Sequence, residues 1–259
     1  MNDSYAIAQR PAPDRLLGVL GGMGPLAGAA FMTRLTQLTP ATRDQEHIPA
    51  VLWSDPRVPD RTAALLGDGP SPLNHLLYGV ERLVQAGATC IAIPCNTAHL
   101  WFEDLVRAVA VPFLHIVDAT IDDLQRQGVR AGRVGVMGTA GTLKLRLYQE
   151  RLEARGYECL LPTDEEVAAL CMPAIALVKE NRIAESYAPA ATCVERLRER
   201  GAEAVLLGCT ELPLALPSAA RAAFGVPMSD SIDALAWAAI RWYAAAAASA
   251  RSSAASASR

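Results

Sequence analysis

Lysine is nearly absent from this sequence, which has only two, Lys144 and Lys179, among its 259 residues. An enzyme that uses pyridoxal phosphate needs a lysine to form the Schiff base with its cofactor. Neither lysine lies in a sequence context that suggests this use. The scarcity of lysine therefore argues against a pyridoxal phosphate enzyme.

Other signals are also missing. No two of the six cysteines are spaced Cys-x-x-Cys, so we expect no metal site. Residues 1–15 are polar and interrupted by proline, unlike a secretory leader. Arg241 interrupts the Ala-rich segment near the end, so no apolar run reaches membrane-spanning length. With a net charge of −3, we expect a cytoplasmic protein with reduced cysteines that binds neither nucleic acid nor a membrane.

What the sequence does contain is the same cysteine-bearing pattern twice. Residues 87–97 run from a Gly-Ala pair through an apolar stretch to Cys95-Asn96-Thr97, and residues 201–210 run from a Gly-Ala pair to Cys209-Thr210. A repeat of roughly a hundred residues is too long for a solenoid unit, so we predict two pseudo-equivalent lobes. Half-domains of α/β proteins often share a glycine-rich turn and a late apolar strand, but this likeness does not explain cysteines in register.

Short apolar runs alternate with amphipathic stretches, as in βαβ units around a mainly parallel sheet. For the first half we predict strands near 16–20, 49–53, 89–93 and 113–116, with helices near 25–38, 72–86 and 98–109. For the second half we predict strands near 133–137, 157–161 and 204–208, with helices near 119–128, 143–155, 165–180 and 184–200. The predicted fold class is α/β, with two pseudo-symmetric lobes, a mainly parallel sheet flanked by helices in each, and an active site in the cleft between them.

The predicted lobes are residues 1–116 plus 225–259 for the first, which is discontinuous, and residues 117–224 for the second. Pro217 and Gly225 mark the return crossing. Residues 226–228 could form a last short strand, and a closing helix over 230–247 is expected to pack back on the first lobe. Residues 249–259 contain only Ser, Ala and Arg and are expected to be disordered.

Cys95 and Cys209 each end a predicted strand, where open α/β sheets bind ligands. A helix that starts next to a thiol lowers the thiol's pKa from about 8.5, so we expect thiolate to be available near neutral pH. Two thiols on opposite faces of a substrate can invert a stereocentre, since one removes the Cα proton and the other returns a proton. The alternative is that each cysteine is a small buried apolar residue, which is our interpretation of the other four cysteines.

Residues 22–27 also match the dinucleotide-binding pattern G-x-G-x-x-A, and Asp55 could contact a ribose. A lone match of this kind is only a weak signal for an NAD-binding oxidoreductase, and it leaves the paired cysteines unexplained. Arg61 could present its planar fork to a carboxylate, although a loop arginine is often only a surface residue. For His99, four residues after Cys95, a packed or exposed position on a helix face is a better interpretation than a metal ligand.

Taken together, these residues resemble the aspartate/glutamate racemase superfamily, and within it the aspartate racemase branch. The resemblance spans roughly residues 16–245 and rests on the segments Gly-Gly-Met-Gly-Pro at 21–25, Arg-Asp-Gln-Glu-His at 43–47, Pro-Asp-Arg-Thr at 59–62, Pro-Cys-Asn-Thr-Ala-His at 94–99 and Gly-Cys-Thr-Glu at 208–211. It implies an amino-acid racemase that needs no cofactor, has its site between two lobes and forms a homodimer.

The resemblance also implies roles for individual residues. Cys95 and Cys209 would be the acid–base thiols, and Arg61 and Lys179 match the cationic pair that holds the side-chain carboxylate in aspartate-specific members. The residues expected around the substrate are Met23, Asn96, Thr97, Thr139, Thr142 and Thr210. Glutamate racemases carry Asp-Ser where this chain has Gly22-Met23, and His where it has Glu211. Aspartate is therefore the expected substrate, with glutamate as a second possibility.

Related enzymes suggest other functions for this sequence. The superfamily also includes hydantoin racemases, maleate isomerases and malonate decarboxylases, some with only one of the two cysteines. Both are present here, which favours racemisation. Some racemases act broadly on neutral amino acids, and the presence of both Arg61 and Lys179 argues against that substrate range.

Overall fold

The computed structural model describes residues 14–257, with side chains up to residue 245. Its eight strands form two four-stranded parallel sheets, with the orders β2-β1-β3-β4 and β6-β5-β7-β8. The strands are β1 Leu17–Gly21, β2 Ala50–Ser54, β3 Cys90–Ala92, β4 Phe113–Leu114, β5 Gly132–Met137, β6 Tyr157–Leu160, β7 Ala204–Leu207 and β8 Met228–Asp230. Both sheets thus have the same strand order, which confirms the predicted two-lobe α/β fold.

Helices cover the sheets. They are α1 Pro25–Leu38, α2 Arg61–Leu66, α3 Leu73–Gln85, α4 Phe102–Ala108, α5 Ile116–Arg126, α6 Ala140–Lys144, α7 Gln149–Glu153, α8 Asp164–Glu166, α9 Met172–Lys179, α10 Ile183–Glu199, α11 Leu212–Ala215, α12 Ser218–Arg221 and α13 Ser231–Ala257. Short 3-10 turns cover Asp44–Glu46, Thr97–Trp101 and Ala222–Phe224, and a π turn over Val167–Cys171 joins α8 to α9. Within the described part of the chain, no helix is both long and apolar enough to cross a bilayer.

The repeated Gly-Ala pairs at 87–88 and 201–202 have the same structural role in both lobes. The glycines have positive φ angles of 93° and 91°, which let the chain turn sharply from a helix into the next strand. Each alanine then packs against a glycine of a central strand. A Cβ on Gly18 would lie 2.8 Å from the first alanine's Cβ, and one on Gly135 would lie 3.3 Å from the second's. The turn before β3 and the turn before β7 therefore pack closely on a central strand in the same way in both lobes.

The last strand corrects the predicted lobe boundary. β8 pairs in parallel with β7, with Val205 opposite Met228 and Leu207 opposite Asp230. It therefore belongs to the second sheet, whereas the predicted boundary placed residues from 225 onward in the first lobe. The free edge of β7 accepts β8 in the same way that β3 accepts β4, and the short segment after α12 leads directly to that edge.

The closing helix α13 packs against α1 of the first lobe and against α5. It continues to Ala257, through most of the segment 249–259 that was expected to be disordered; residues 258–259 lie outside the described residues. Alanine has the highest helix propensity, so an Ala-rich continuation extends the helix. The predicted helix over 143–155 is instead two helices, α6 and α7, because Arg146 between them has a left-handed φ of 54°.

Candidate active site

Cys95 follows β3 and Cys209 follows β7, at the carboxyl ends of equivalent strands in the two sheets. Both are 5% exposed and both line one small pocket between the lobes. The other lining residues are Met23, Asp60, Arg61, Thr62, Asn96, Thr97, Thr139, Lys179, Thr210 and Glu211. The fold thus brings every predicted site residue to this pocket except Thr142, which lies behind it. Asp60, Thr62 and Glu211 were not predicted as site residues, although they lie within the recognised segments 59–62 and 208–211.

Three threonine hydroxyls join the lobes at the pocket. The Oγ1 atom of Thr97 lies 3.1 Å from that of Thr139 and 3.1 Å from that of Thr142, and the last two are 3.0 Å apart. Thr139 is also the N-cap of α6, where its side chain accepts a hydrogen bond from the backbone N–H of Thr142 at 3.1 Å. Thr142 therefore contributes by fixing the two threonines that reach the pocket.

The Asn96 side chain is held at both ends. Its Nδ2 donates to Ser231 Oγ at 3.0 Å, and its Oδ1 accepts from the hydroxyl of Tyr148 at 2.6 Å. Tyr148 is fully buried, and burial raises the pKa of its hydroxyl, so it stays protonated and remains a donor. The amide orientation of Asn96 is therefore set by a tyrosine from the second lobe, a contact that the sequence did not suggest.

Arg61 begins α2 and is 8% exposed. Its guanidinium donates to three backbone carbonyls: Nη1 to Val58 at 3.2 Å and Pro59 at 3.0 Å, and Nη2 to Met23 at 3.1 Å. Its buried Nε has no hydrogen-bond partner among the described residues. The Nε edge of a guanidinium, with Nε and Nη2, is a two-pronged donor for a carboxylate. The protein thus fixes the cation while leaving an N–H on that edge unused.

Lys179 ends α9 and lines the same pocket as Arg61. Its Nζ lies 3.9 Å from Asp60 Oδ2, and the two side chains are 41% and 52% exposed. Asp60 is also the N-cap of α2, accepting from the N–H of Ala63 at 2.8 Å. The second cation is therefore half-exposed at the pocket and loosely paired with an acid from the other lobe.

Glu211 contacts the second thiol. Cys209 Sγ donates to Glu211 Oε2 at 3.0 Å, Thr210 Oγ1 donates to the same oxygen at 3.3 Å, and the Gly24 N–H donates to Oε1 at 3.3 Å. Burial, and then the Glu211 carboxylate, raise the pKa of Cys209 well above its usual range. The expectation that a helix start lowers the pKa is therefore wrong for Cys209, because desolvation and a neighbouring anion both disfavour the thiolate.

His99 is a packed residue of the first cysteine loop. The backbone N–H of Ile116 donates to its Nε2 at 3.1 Å, so Nδ1 carries the ring proton and donates to the Cys95 carbonyl at 2.9 Å. Burial lowers the pKa of His99 to about 4, which keeps the ring neutral at pH 7. Within residues 14–257, no group of three or more His, Cys, Asp or Glu side chains is arranged to hold a metal ion.

The dinucleotide interpretation fails at the glycine-rich turn. Gly22 has a φ of 89°, and a Cβ on it would lie 2.4 Å from the carbonyl oxygen of Asp55, so the turn is filled by protein backbone. Asp55 itself accepts hydrogen bonds from the Arg57 side chain at 2.8 Å, which lower the pKa of its carboxyl to about 2. The aspartate that was considered as a ribose partner is therefore already occupied.

Comparison with known proteins agrees with this geometry. The aspartate racemase of Picrophilus torridus superposes with a TM-score of 0.78 at 32% sequence identity, covering 88% of this chain and 93% of that one. A broad-specificity amino-acid racemase of Bacillus subtilis is 28% identical over 209 residues, which are 76% of this chain and 86% of the relative. A glutamate racemase of Corynebacterium diphtheriae is 30% identical over 180 residues, which are 61% of this chain and 62% of the relative.

Residues 20–239 match the Asp/Glu/Hydantoin racemase family, a span that includes both cysteine loops. Racemases are isomerases, and the two-lobe arrangement of this chain is the one found in the racemase structures it resembles. The chain is therefore an isomerase that belongs to the Asp/Glu/hydantoin racemase family.

Proposed function

We propose that the protein interconverts L- and D-aspartate without a cofactor, using Cys95 and Cys209 as the two acid–base groups. The observation that carries this proposal is the convergence of both thiols, one from each lobe, on a single pocket that also holds two cationic side chains. A thiol on each face of Cα is what inversion requires, and cations suit a substrate with two carboxylates.

In the proposed reaction one thiolate removes the Cα proton, and the opposite thiol gives its proton to the other face of the carbanion. The first cysteine ends as a thiol and the second as a thiolate, so the roles are exchanged for the reverse direction. The pocket residues that would hold the α-carboxylate and the amino group are Asn96, Thr97, Thr139 and Thr210. Because Tyr148 fixes Asn96, and Thr142 fixes Thr97 and Thr139, three of these polar groups are oriented before the substrate binds.

The side-chain carboxylate is assigned to Arg61 and Lys179. Arg61 is held in place by three carbonyl groups, and its Nε has no hydrogen-bond partner among the described residues, so one donor of the fixed guanidinium is left for an anion. A charge-assisted contact of this kind contributes about 1.5–3 kcal/mol. Lys179 would exchange its loose contact with Asp60 for the substrate. The picture also agrees with the similarity to the Picrophilus torridus aspartate racemase.

The deciding experiment is incubation of the protein in deuterated water with separate L-amino acids, a metal chelator and no added cofactor. Loss of the Cα proton is followed by NMR, and the enantiomers are separated by chiral chromatography. We expect aspartate to exchange and racemise fastest, with glutamate slower. Activity that requires pyridoxal phosphate or a metal would contradict the proposal.

A second candidate is broad-specificity racemisation of neutral amino acids. A more open groove adjoins the pocket at Arg61 and Lys179, and its apolar lining residues include Pro25, Val58 and Val178. The similarity to the Bacillus subtilis broad-specificity racemase points the same way. Faster turnover of alanine or homoserine than of aspartate would favour this candidate.

We also propose a homodimer, on the basis of the family resemblance. Light scattering coupled to size-exclusion chromatography measures the molar mass, and about twice the 27.5 kDa of one chain is expected.

A further inference from the structure

Glu211 is a buried carboxylate without a cation. Glu211 is 3% exposed, and its carboxylate takes part in no ion pair within the part of the chain that the structure describes. Its three hydrogen-bond partners are the Cys209 thiol, the Thr210 hydroxyl and the Gly24 N–H. A buried charge that is not paired is costly to keep, and such groups are concentrated at functional sites.

The contact with Cys209 has no counterpart in the other lobe. Cys209 Sγ points its hydrogen at Glu211 Oε2 over 3.0 Å. Two residues after Cys95 the chain has Thr97, whose hydroxyl bonds to Thr139 and Thr142 instead of the thiol. Of the two thiols, only Cys209 is therefore in direct contact with a group that can accept its proton, among the described residues.

Glu211 also lies between the Cys209 thiol and the open groove. It lines both the inner pocket and the open groove that adjoins it, whereas Cys209 lines the inner pocket. A carboxylate in this position can exchange a proton with the thiol on one side and with solvent in the groove on the other.

We propose that Glu211 is the proton-relay partner of Cys209, taking the thiol proton when Cys209 must act as the base and returning a proton to Cys209 when the reaction runs in the reverse direction. The inference rests on the proposed two-cysteine racemisation.

The proposed proton transfers begin at the thiol: the S–H bond of Cys209 breaks and an O–H bond forms on Glu211. The thiolate then takes the Cα proton, and the Cys95 thiol gives its proton to the opposite face. The number of protons in the site is unchanged, and the product form holds Cys209 as thiol, Cys95 as thiolate and Glu211 as carboxylic acid. Glu211 then releases its proton to the groove and Cys95 regains one from solvent.

The alternative is that Glu211 acts only through its charge and keeps Cys209 protonated. Glu211→Gln distinguishes the two roles, because glutamine keeps an acceptor for the Gly24 N–H but accepts a proton far less readily. Without the anion, Cys209 should ionise more easily, so its alkylation by iodoacetamide should begin at lower pH. If only charge mattered, this variant would racemise as well as the parent or better. A relay predicts instead that racemisation falls by about 10²-fold or more, and that Glu211→Asp restores part of it.

Peptide mass spectrometry measures the alkylation of both cysteines in the same sample, so Cys95 serves as the internal reference for reagent exposure. Thermal unfolding of each variant checks that it is folded. Activity of Glu211→Gln within tenfold of the parent, or an unchanged pH profile for Cys209, would overturn the relay. An inactive parent protein would instead overturn the proposed function itself, so the two failures can be told apart.

Kinetic isotope effects give a second measurement, which would not change if Glu211 had only a structural role. The two enantiomers have equal free energy, so kcat/KM must fall equally in both directions. In Glu211→Gln, however, proton transfer at Cys209 becomes the slower step. The isotope effect of a Cα-deuterated substrate on kcat/KM should therefore rise for the enantiomer deprotonated by Cys209 and fall for the other. Equal changes for both enantiomers would count against the relay.

Discussion

The two cysteine loops end equivalent strands but are held by different groups. The Cys95 loop is fixed by neutral donors and acceptors: His99 binds its carbonyl, and Tyr148 and Ser231 bind the Asn96 amide. The Cys209 loop is fixed by the Glu211 carboxylate. The repeat therefore preserves the backbone positions of the thiols and not their electrostatic surroundings. A two-base reaction needs matching positions, and it leaves the proton affinities of the bases free to differ.

The largest expected effect comes from removing either thiol. Cys95→Ser and Cys209→Ser should each lower racemisation by about 10²–10⁴-fold, because a hydroxyl is a much weaker acid and base here than a thiol. Chiral chromatography of the products measures the loss. Exchange of the Cα proton without inversion could persist for one enantiomer in each variant, and opposite enantiomers in the two variants would assign each cysteine to its face. Full racemisation by either variant would refute the two-base assignment.

Arg61→Ala tests which carboxylate the pocket recognises. Loss of a charge-assisted contact of about 1.5–3 kcal/mol corresponds to roughly a 10- to 100-fold rise in KM for aspartate. Small neutral amino acids do not use this contact and should be affected little. Steady-state kinetics with aspartate and alanine make the comparison within one variant. An equal loss for both substrates would mean that Arg61 supports the fold and not the specificity.

Tyr148→Phe breaks the hydrogen bond that crosses from the second lobe to Asn96 and also removes a longer contact with the Thr120 hydroxyl at 3.3 Å. One lost hydrogen bond costs about 0.5–1.5 kcal/mol of stability, and freeing the amide should in addition lower kcat/KM several-fold. Tyr157→Phe is the matched control, since the Tyr157 hydroxyl donates to the Val129 carbonyl at 2.8 Å, away from the pocket. Denaturant unfolding should show similar losses of stability for both variants, while only Tyr148→Phe should change the kinetics.

Mild acid should destabilise the folded protein, in part through His99, which holds the Cys95 loop. The pKa of His99 is about 4 in the folded protein, and that of histidine in an unfolded chain is about 6.5. The unfolded chain therefore binds more protons between these values, and stability falls as pH drops through this window, by about 1 kcal/mol for the first unit. His99→Gln should flatten the dependence of Tm on pH, and His75→Gln, at an exposed histidine of α3, should not. A parallel pH dependence in both variants would show that other groups dominate.

Much of the fold was predictable because its signals are local. The helix predicted over 25–38 is α1, Pro25–Leu38, which begins with proline, a residue favoured in the first helical turn. The break between α6 and α7 was missed because the left-handed conformation of Arg146 is imposed by its surroundings and not by its residue type. The sheet of β8 was assigned wrongly because strand pairing joins segments that are distant in sequence.

For the site, too, local features were predictable from the sequence and contacts between distant segments were not. The sequence placed Cys95 and Cys209 at the ends of equivalent strands, since parallel strands carry their ligand-binding residues at the carboxyl edge. Tyr148 was not predicted as part of the site, because its partner Asn96 lies in the other lobe. Glu211 was noticed as part of the segment 208–211 and as a difference from glutamate racemases, but its contact with the thiol two residues away was not predicted.

By itself, the sequence determined the two-lobe repeat and the paired thiols, because strand periodicity, glycine turns and residue spacing are properties of the chain. Only the tertiary structure decided that the thiols are unequal. Burial of Cys209 beside Glu211 makes its ionisation unfavourable, and desolvation depends on what surrounds a group in space. Neighbours from the other lobe, such as Gly24 beside Glu211, come together only when both sheets have formed.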